Sequence, residues 1–150
     1  MKSIESNDDL QEFLYKTDFF HDCLLKRVNI FNKGFVDHEG QMHYDTALFN
    51  SIFLFQSQFV SDVPPFLIYG IEIIKCNLTE STSCFNLFVG DVKNGVISIG
   101  DDVDYNRANF FLSCKKMRYR MLDSSALASE ISLDNFEIDI WADVWSDWDL

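Results

Sequence analysis

The sequence predicts a mainly β (α+β) protein: a twisted antiparallel sheet, arranged as a sandwich or open barrel, with a short N-terminal helix. Three observations carry this. Short runs rich in β-branched and aromatic residues recur from Leu24 to Met121 with turn residues between them. Phenylalanine is used 15 times against 2 prolines and 6 glycines, in a chain that is 47% hydrophobic, which excludes disordered and collagen-like chains. Leu10, Phe13 and Leu14, behind a cap at Ser6 or Asn7, give a short helix at the start of the chain. At 150 residues the length fits one domain, 1–150, able to bury roughly two thirds of the surface of its unfolded chain. No internal repeat, low-complexity stretch or linker divides it.

In chain order, Ser6 or Asn7 caps a helix ending near Lys16. Asp8, Asp9 and Glu12 lie in its first turns, while Leu10, Phe13 and Leu14 share one face. The pattern then turns to period two. Leu24, Val28 and Ile30 share a face that Lys26 interrupts, and Asn32 to Gly34 makes a turn. Between Thr46 and Val60, Leu48, Ile52, Phe55 and Phe59 also satisfy helical spacing, but the density of β-formers from Ile52 to Phe59 decides for a strand. Pro64-Pro65 breaks the chain. Phe66 to Leu78 reads as a long strand, Phe85 to Val89 pairs with Val96 to Ile99 across a loop from Gly90 to Gly95, and Phe110 to Met121 follows. The expected core is Leu24, Val28, Ile30, Phe53, Phe55, Ile71, Ile73, Phe85, Phe88, Ile97, Ile99 and Phe111.

Charge is distributed unevenly. The net charge of −12 disfavours nucleic acid and anionic membranes as partners. All three tryptophans and six acids lie in residues 134–150, and no lysine or arginine follows Arg120. Tryptophan is a desolvating anchor and carboxylates supply charge complementarity, so this acidic, tryptophan-rich segment of the domain suits capture of a basic protein. If it is a strand, Phe136, Ile138, Ile140, Ala142 and Val144 turn inward, and Glu137, Asp139, Trp141, Asp143 and Trp145 turn outward. The partner-binding residues so defined are Glu137, Asp139, Trp141, Asp143, Trp145, Asp147 and Trp148. The tryptophan spacing of four and three equally fits an amphipathic helix, which would turn them to the core.

No chemistry-bearing motif stands out. Phe20-His21-Asp22-Cys23 places an imidazole beside a thiol, but neighbours in an extended segment point to opposite faces, so a structural turn is the better reading. His38 and His43 are the best metal candidates. A loop from Glu39 to Met42 would set them opposite each other, with Asp37 or Asp45 available, yet spacing converges only two ligands and a polar hairpin fits better. The run from Lys115 to Arg120 could hold phosphate, but reads as a strand whose charges pair with the acidic terminus. Asp101, Asp102 and Asp104 lack the closing glutamate of a calcium loop, because Leu112 stands there. Phosphate-loop, dinucleotide, nucleophile-elbow and zinc-protease signatures are absent. The sequence therefore predicts neither enzyme activity nor a cofactor. Cys23, Cys76, Cys84 and Cys114 form no metal-type pair, and the N-terminus has no apolar leader, so reduced thiols in a cytoplasmic protein are expected. No apolar window is long enough for a membrane span. Oligomeric state is not legible.

Phe20-His21-Asp22-Cys23, Gly34-Phe35-Val36, Met42 and Phe55-Gln56-Ser57-Gln58 together give a resemblance over roughly residues 10 to 120. The chain resembles a bacterial family of small β-rich proteins with a Phe-His-Asp opening and a Gln-x-Gln strand, associated with polymorphic-toxin immunity proteins. That resemblance implies an intracellular inhibitor in contact-dependent competition, which occludes a cognate toxin domain and has no catalytic residues. The terminal tryptophan-rich segment departs from the family pattern. Two other readings follow from the residues: a metal-binding protein or enzyme at His38 and His43, and a β domain holding a small ligand in an aromatic pocket.

Overall fold

Ser6 starts the only helix among the described residues. Its hydroxyl accepts from the Asp9 N–H at 3.2 Å and the Asp9 carboxylate accepts from the Ser6 N–H at 2.9 Å, a reciprocal cap that starts α1 (Asn7–Lys16). The computed structural model describes residues 1–32, 34–43, 48–57, 63–79 and 85–122. After α1 comes a short 3-10 turn, Asp18–Phe20, and the strands are β1 (Lys2–Ile4), β2 (Cys23–Phe31), β3 (Phe35–Val36), β4 (Met42–His43), β5 (Asn50–Ser57), β6 (Phe66–Leu78), β7 (Val89–Lys93), β8 (Val96–Gly100) and β9 (Phe110–Met121). β2, β5, β6, β9, β8 and β7 lie side by side, antiparallel throughout, and β1 adds to the free edge of β9 beyond β8. This is the expected mainly β, α+β architecture in its open form: a seven-stranded sheet, not closed into a barrel, carrying one short helix. No described helix is long and apolar enough to cross a membrane.

One face of the sheet packs under α1 and the 3-10 turn. Leu10, Phe13, Leu14 and Phe20 meet Phe53, Phe55, Phe66, Ile68, Phe88, Ile97, Ile99, Phe110, Leu112, Cys114, Met117 and Tyr119 there. Phe20 lies at the centre of the aromatic cluster, stacked on Phe88 at 4.0 Å and edge-on to Phe55, Phe66 and Phe13 at 4.9, 5.0 and 5.9 Å. The helix also closes a sheet edge. The Asn7 side chain donates to the Val92 carbonyl at 3.2 Å and accepts from its N–H at 2.8 Å, occupying part of the ladder that an edge strand would offer to another chain.

Two strands change face partway, which corrects the expected core. In β2 the register slips between Leu25 and Arg27, so Cys23 and Leu25 point to the core, Val28 packs against it, and Leu24 is exposed. Ile30 is exposed as well, near the outer end of the strand opposite Ser51. In β9, Phe110, Leu112 and Cys114 point to the core, then Met117 and Tyr119 do, with Lys115 and Lys116 exposed between. The partner position on β6 is Glu72, whose φ is +56°, and the register shifts between Ile73 and Lys75. Phe111 therefore stands on the half-buried side, while Ile73 and Phe85 pack at the core's margin. The bend is held by the buried Asn50, whose Oδ1 accepts from the Glu72 N–H at 2.9 Å, and by the Ile73 N–H donating to the Phe49 carbonyl at 2.7 Å. Asn50→Ala should cost about 1–2 kcal/mol in chemical denaturation by leaving that N–H without its acceptor, and Asn50→Asp should recover most of the loss.

The strand expected at Phe85 to Val89 starts instead at Val89, and the expected Gly90-to-Gly95 loop contracts to the two residues Asn94 and Gly95. Both have positive φ, +53° and +73°, the turn geometry that matches the twist of antiparallel strands. A side chain is barred at Gly90, where an added Cβ would lie 2.5 Å from the Ser98 carbonyl oxygen and 3.0 Å from Leu10, so helix and hairpin approach closely at that point.

Candidate partner-binding surface

A small hairpin forms a sheet of its own apart from the main one. Its strands pair Phe35 with His43 and Val36 with Met42, and a turn from Asp37 to Gln41 closes it. Asp37 organises the turn: its carboxylate accepts from the Glu39 and Gln41 N–H groups, each at 2.9 Å, and bonds the His43 Nε2 at 2.6 Å. The Phe35 ring stacks on the His43 ring at 4.8 Å. Hydrogen bonding from His43, then from the turn amides, holds the Asp37 carboxyl below its ordinary pKa. A lowered folded value means that its stabilisation is present above the usual carboxylate range and is lost as pH falls through the folded value. In a nuclear magnetic resonance titration the amide signals of Glu39 and Gln41 should therefore lose protection in acid before those of β5 and β6.

The hairpin bears apolar side chains outward. Phe35 is 61%, Val36 63% and Met42 74% exposed. By register Val36 and Met42 share one face of the hairpin and Phe35 with His43 the other. Exposed apolar side chains thus project from both faces of one small element, which marks an interaction surface with the acids Asp37 and Glu39 at its turn. Charge patterning and helical spacing could not find this site by themselves. In the sequence Phe35, Val36 and Met42 are apolar residues flanking a polar turn, with nothing local to separate them from core.

The other sequence-derived sites divide as follows. Glu137, Asp139, Trp141, Asp143, Trp145, Asp147 and Trp148 lie outside the described residues, so the choice between strand and helix for that segment does too. His38 and His43 are not opposed: His43 pairs with Phe35, three residues before His38, and His38 stands in the turn almost fully exposed. Among the described residues no three potential ligands converge on a metal position.

His21 and Asp22 do meet, with Nδ1 3.1 Å from the Asp22 carboxylate, because Asp22 adopts φ +51° and turns its side chain back. Cys23 is turned into the core. Burial, reinforced by Asp18 and Asp22, pushes its thiol up to about 12, which opposes the thiolate that a nucleophile requires. Cys114 is also pushed up to about 12 by burial, and Cys23, Cys76 and Cys114 are free thiols. At pH 8 both Cys23 and Cys114 should react with a disulfide reagent only as fast as the protein opens, and reaction at the rate of a model thiol would contradict this placement.

Asp101 is 3% exposed and accepts from the Asn109 N–H, the Phe110 N–H and the Asn109 side chain at 2.7, 3.0 and 3.1 Å. Asp102 and Asp104 accept from the backbone N–H groups of Asp104 and Asn106 at 2.8 and 2.9 Å and flank Arg107. The aspartates at this loop thus bind the backbone around it. Lys115 pairs with Glu72 at 3.2 Å. No family model, curated protein or solved structure matches the chain.

Proposed function

We propose that this protein is an immunity-type binding inhibitor that neutralises a cationic bacterial toxin domain, with a nuclease as the fitting class, by occluding it. The observation that carries the reading is the exposed apolar hairpin of Phe35, Val36 and Met42 on a chain of net charge −12. Apolar anchors supply contact energy at a desolvated centre, while an acidic field attracts a basic partner and speeds encounter. A nuclease is basic because its substrate is a polyanion, so one acidic surface both steers toward it and competes for the substrate's ground. Glu137, Asp139, Trp141, Asp143, Trp145, Asp147 and Trp148 are proposed as a second, charge-rich set of partner contacts. The inhibitor works in the cytoplasm and needs no cofactor.

The test is a defined pair. The product of a toxin-like open reading frame adjacent to this gene is purified and mixed with this protein. A one-to-one complex, loss of toxin activity and rescue of toxin-expressing cells are expected. Full toxin activity at a tenfold excess of this protein, or capture experiments in the native host that return no toxin domain, would overturn the reading.

A further inference from the structure

The face of the sheet turned away from α1 is also dry. Ile52, Leu54, Leu67 and Tyr69 are 0–2% exposed and cluster with Leu122, with Phe31 and Ile71 half-buried beside them. Directly paired residues share a face, so the register places Arg120 beside Leu67, Arg118 beside Tyr69, Lys116 beside Ile71 and Arg27 beside Leu54. The face is therefore an apolar stripe with Arg27 on one side and Lys116, Arg118 and Arg120 along the other. A single sheet cannot exclude water from its own outward side chains; that takes a second layer about 10 Å away. Among the described residues α1 and the 3-10 turn supply this layer on the first face, whereas the second cluster contains sheet residues and Leu122 alone.

The position and composition of the chain's end fit this requirement. The Leu122 N–H donates to the Pro65 carbonyl at 2.8 Å, and Leu122 belongs to the cluster itself, so residues 123–150 start at the margin of the face. They contain eight acids, no lysine or arginine, and all three tryptophans. The four strands from β2 to β9 are about 15 Å across, a distance that an extended chain spans in about five residues. Lys116, Arg118 and Arg120 form no ion pair with a described residue.

We propose that residues 123–150 dock on this second face, with apolar side chains over Ile52, Leu54, Leu67 and Tyr69 and carboxylates against Lys116, Arg118 and Arg120. The inference is independent of the hairpin's part in the toxin reading, but it competes with that reading for the terminal segment, which it assigns to this chain's own sheet. It is tested on the full-length protein by limited proteolysis with a glutamate-specific enzyme, with products identified by mass. Wild-type cleavage at Glu130 and Glu137 should follow the rate of global opening. The double variant Arg118→Glu with Arg120→Glu should release the segment at least about tenfold faster while keeping a cooperative thermal transition. Lys116→Glu, at an exposed position, should give a smaller acceleration and serves if the double variant does not fold. The proposal is overturned if the wild-type segment is removed rapidly and the remaining 1–122 keeps its thermal transition and binds no hydrophobic dye. Sedimentation showing a dimer whose dissociation speeds cleavage would assign the face to a second copy, and would overturn it too.

Discussion

Phe20→Ala should destabilise the protein by about 3–5 kcal/mol, the largest effect expected of a single substitution, and Phe20→Leu by clearly less. The argument begins with backbone. Asp18, Phe19 and Phe20 all have positive φ, between +49° and +61°, a conformation that costs a bulky residue energy and persists only where surroundings over-determine it. Here they do. The Phe20 N–H donates to the Thr17 carbonyl at 3.0 Å, the His21 N–H to the Asp18 carbonyl at 2.9 Å, and the Phe88 N–H to the Phe19 carbonyl at 2.9 Å. Thr17 is itself buried and donates its hydroxyl back to the Phe13 and Leu14 carbonyls at 3.0 and 3.1 Å. The tight turn thereby drops the fully buried Phe20 ring into the space among α1, β5, β6 and Phe88. Truncation removes one ring from contact with four others and leaves a cavity that this bonded backbone cannot collapse to fill. Phe35→Ala, on the exposed hairpin, is the control and should change stability by less than about 0.5 kcal/mol. Equal losses at the two positions in urea denaturation would contradict the assigned core.

Much of this fold is legible in the sequence, because its strongest signals are local. The cap at Ser6, the apolar face of Leu10, Phe13 and Leu14, and the two long strands Phe66–Leu78 and Phe110–Met121 all occur where period and propensity place them. The strand chosen within Thr46 to Val60 is present as Asn50–Ser57. Failures occur where the alternation slips. The shift beside Lys26 and the left-handed Glu72 each reverse which residues face inward, so Leu25 and not Leu24 faces the core, and Phe110 and Leu112 do so and not Phe111. Such slips depend on long-range partners, Ser57 to Asn50 for β2 and Asn50 with Lys115 for the bend, which no local window contains. Asn94-Gly95 is different: the turn signal was present, and its two-residue loop simply outranks the longer one. Of the candidate site, Phe35, Val36 and Met42 appear in the sequence as apolar residues like any others. Only the failure of their hairpin to join the main sheet separates them from core.

Removing the hairpin's anchors should have the largest effect on partner binding. Phe35→Ala with Met42→Ala should weaken a toxin complex by roughly 2 kcal/mol or more, about 30-fold in Kd, with the loss in the dissociation rate and with Tm unchanged. Stability is spared because both side chains are largely exposed in the free protein, while binding suffers because burying them is what association adds. Neutralising Asp139 and Asp143 should act differently, chiefly slowing association and flattening its salt dependence, since charges at a rim steer more than they hold. Trp141→Ala and Trp145→Ala then separate two roles for the terminal segment. A loss of roughly 2 kcal/mol in affinity at constant Tm makes the tryptophans partner anchors alongside Phe35. A fall in Tm with faster cleavage at Glu130 assigns them to the dry face of Ile52, Leu54, Leu67 and Tyr69, and leaves the hairpin to supply the anchoring contacts. Calorimetric titration of the four variants with one toxin preparation reads affinity and scanning calorimetry of the free variants reads Tm, and affinity within twofold of wild type for Phe35→Ala with Met42→Ala would remove the hairpin from the interface.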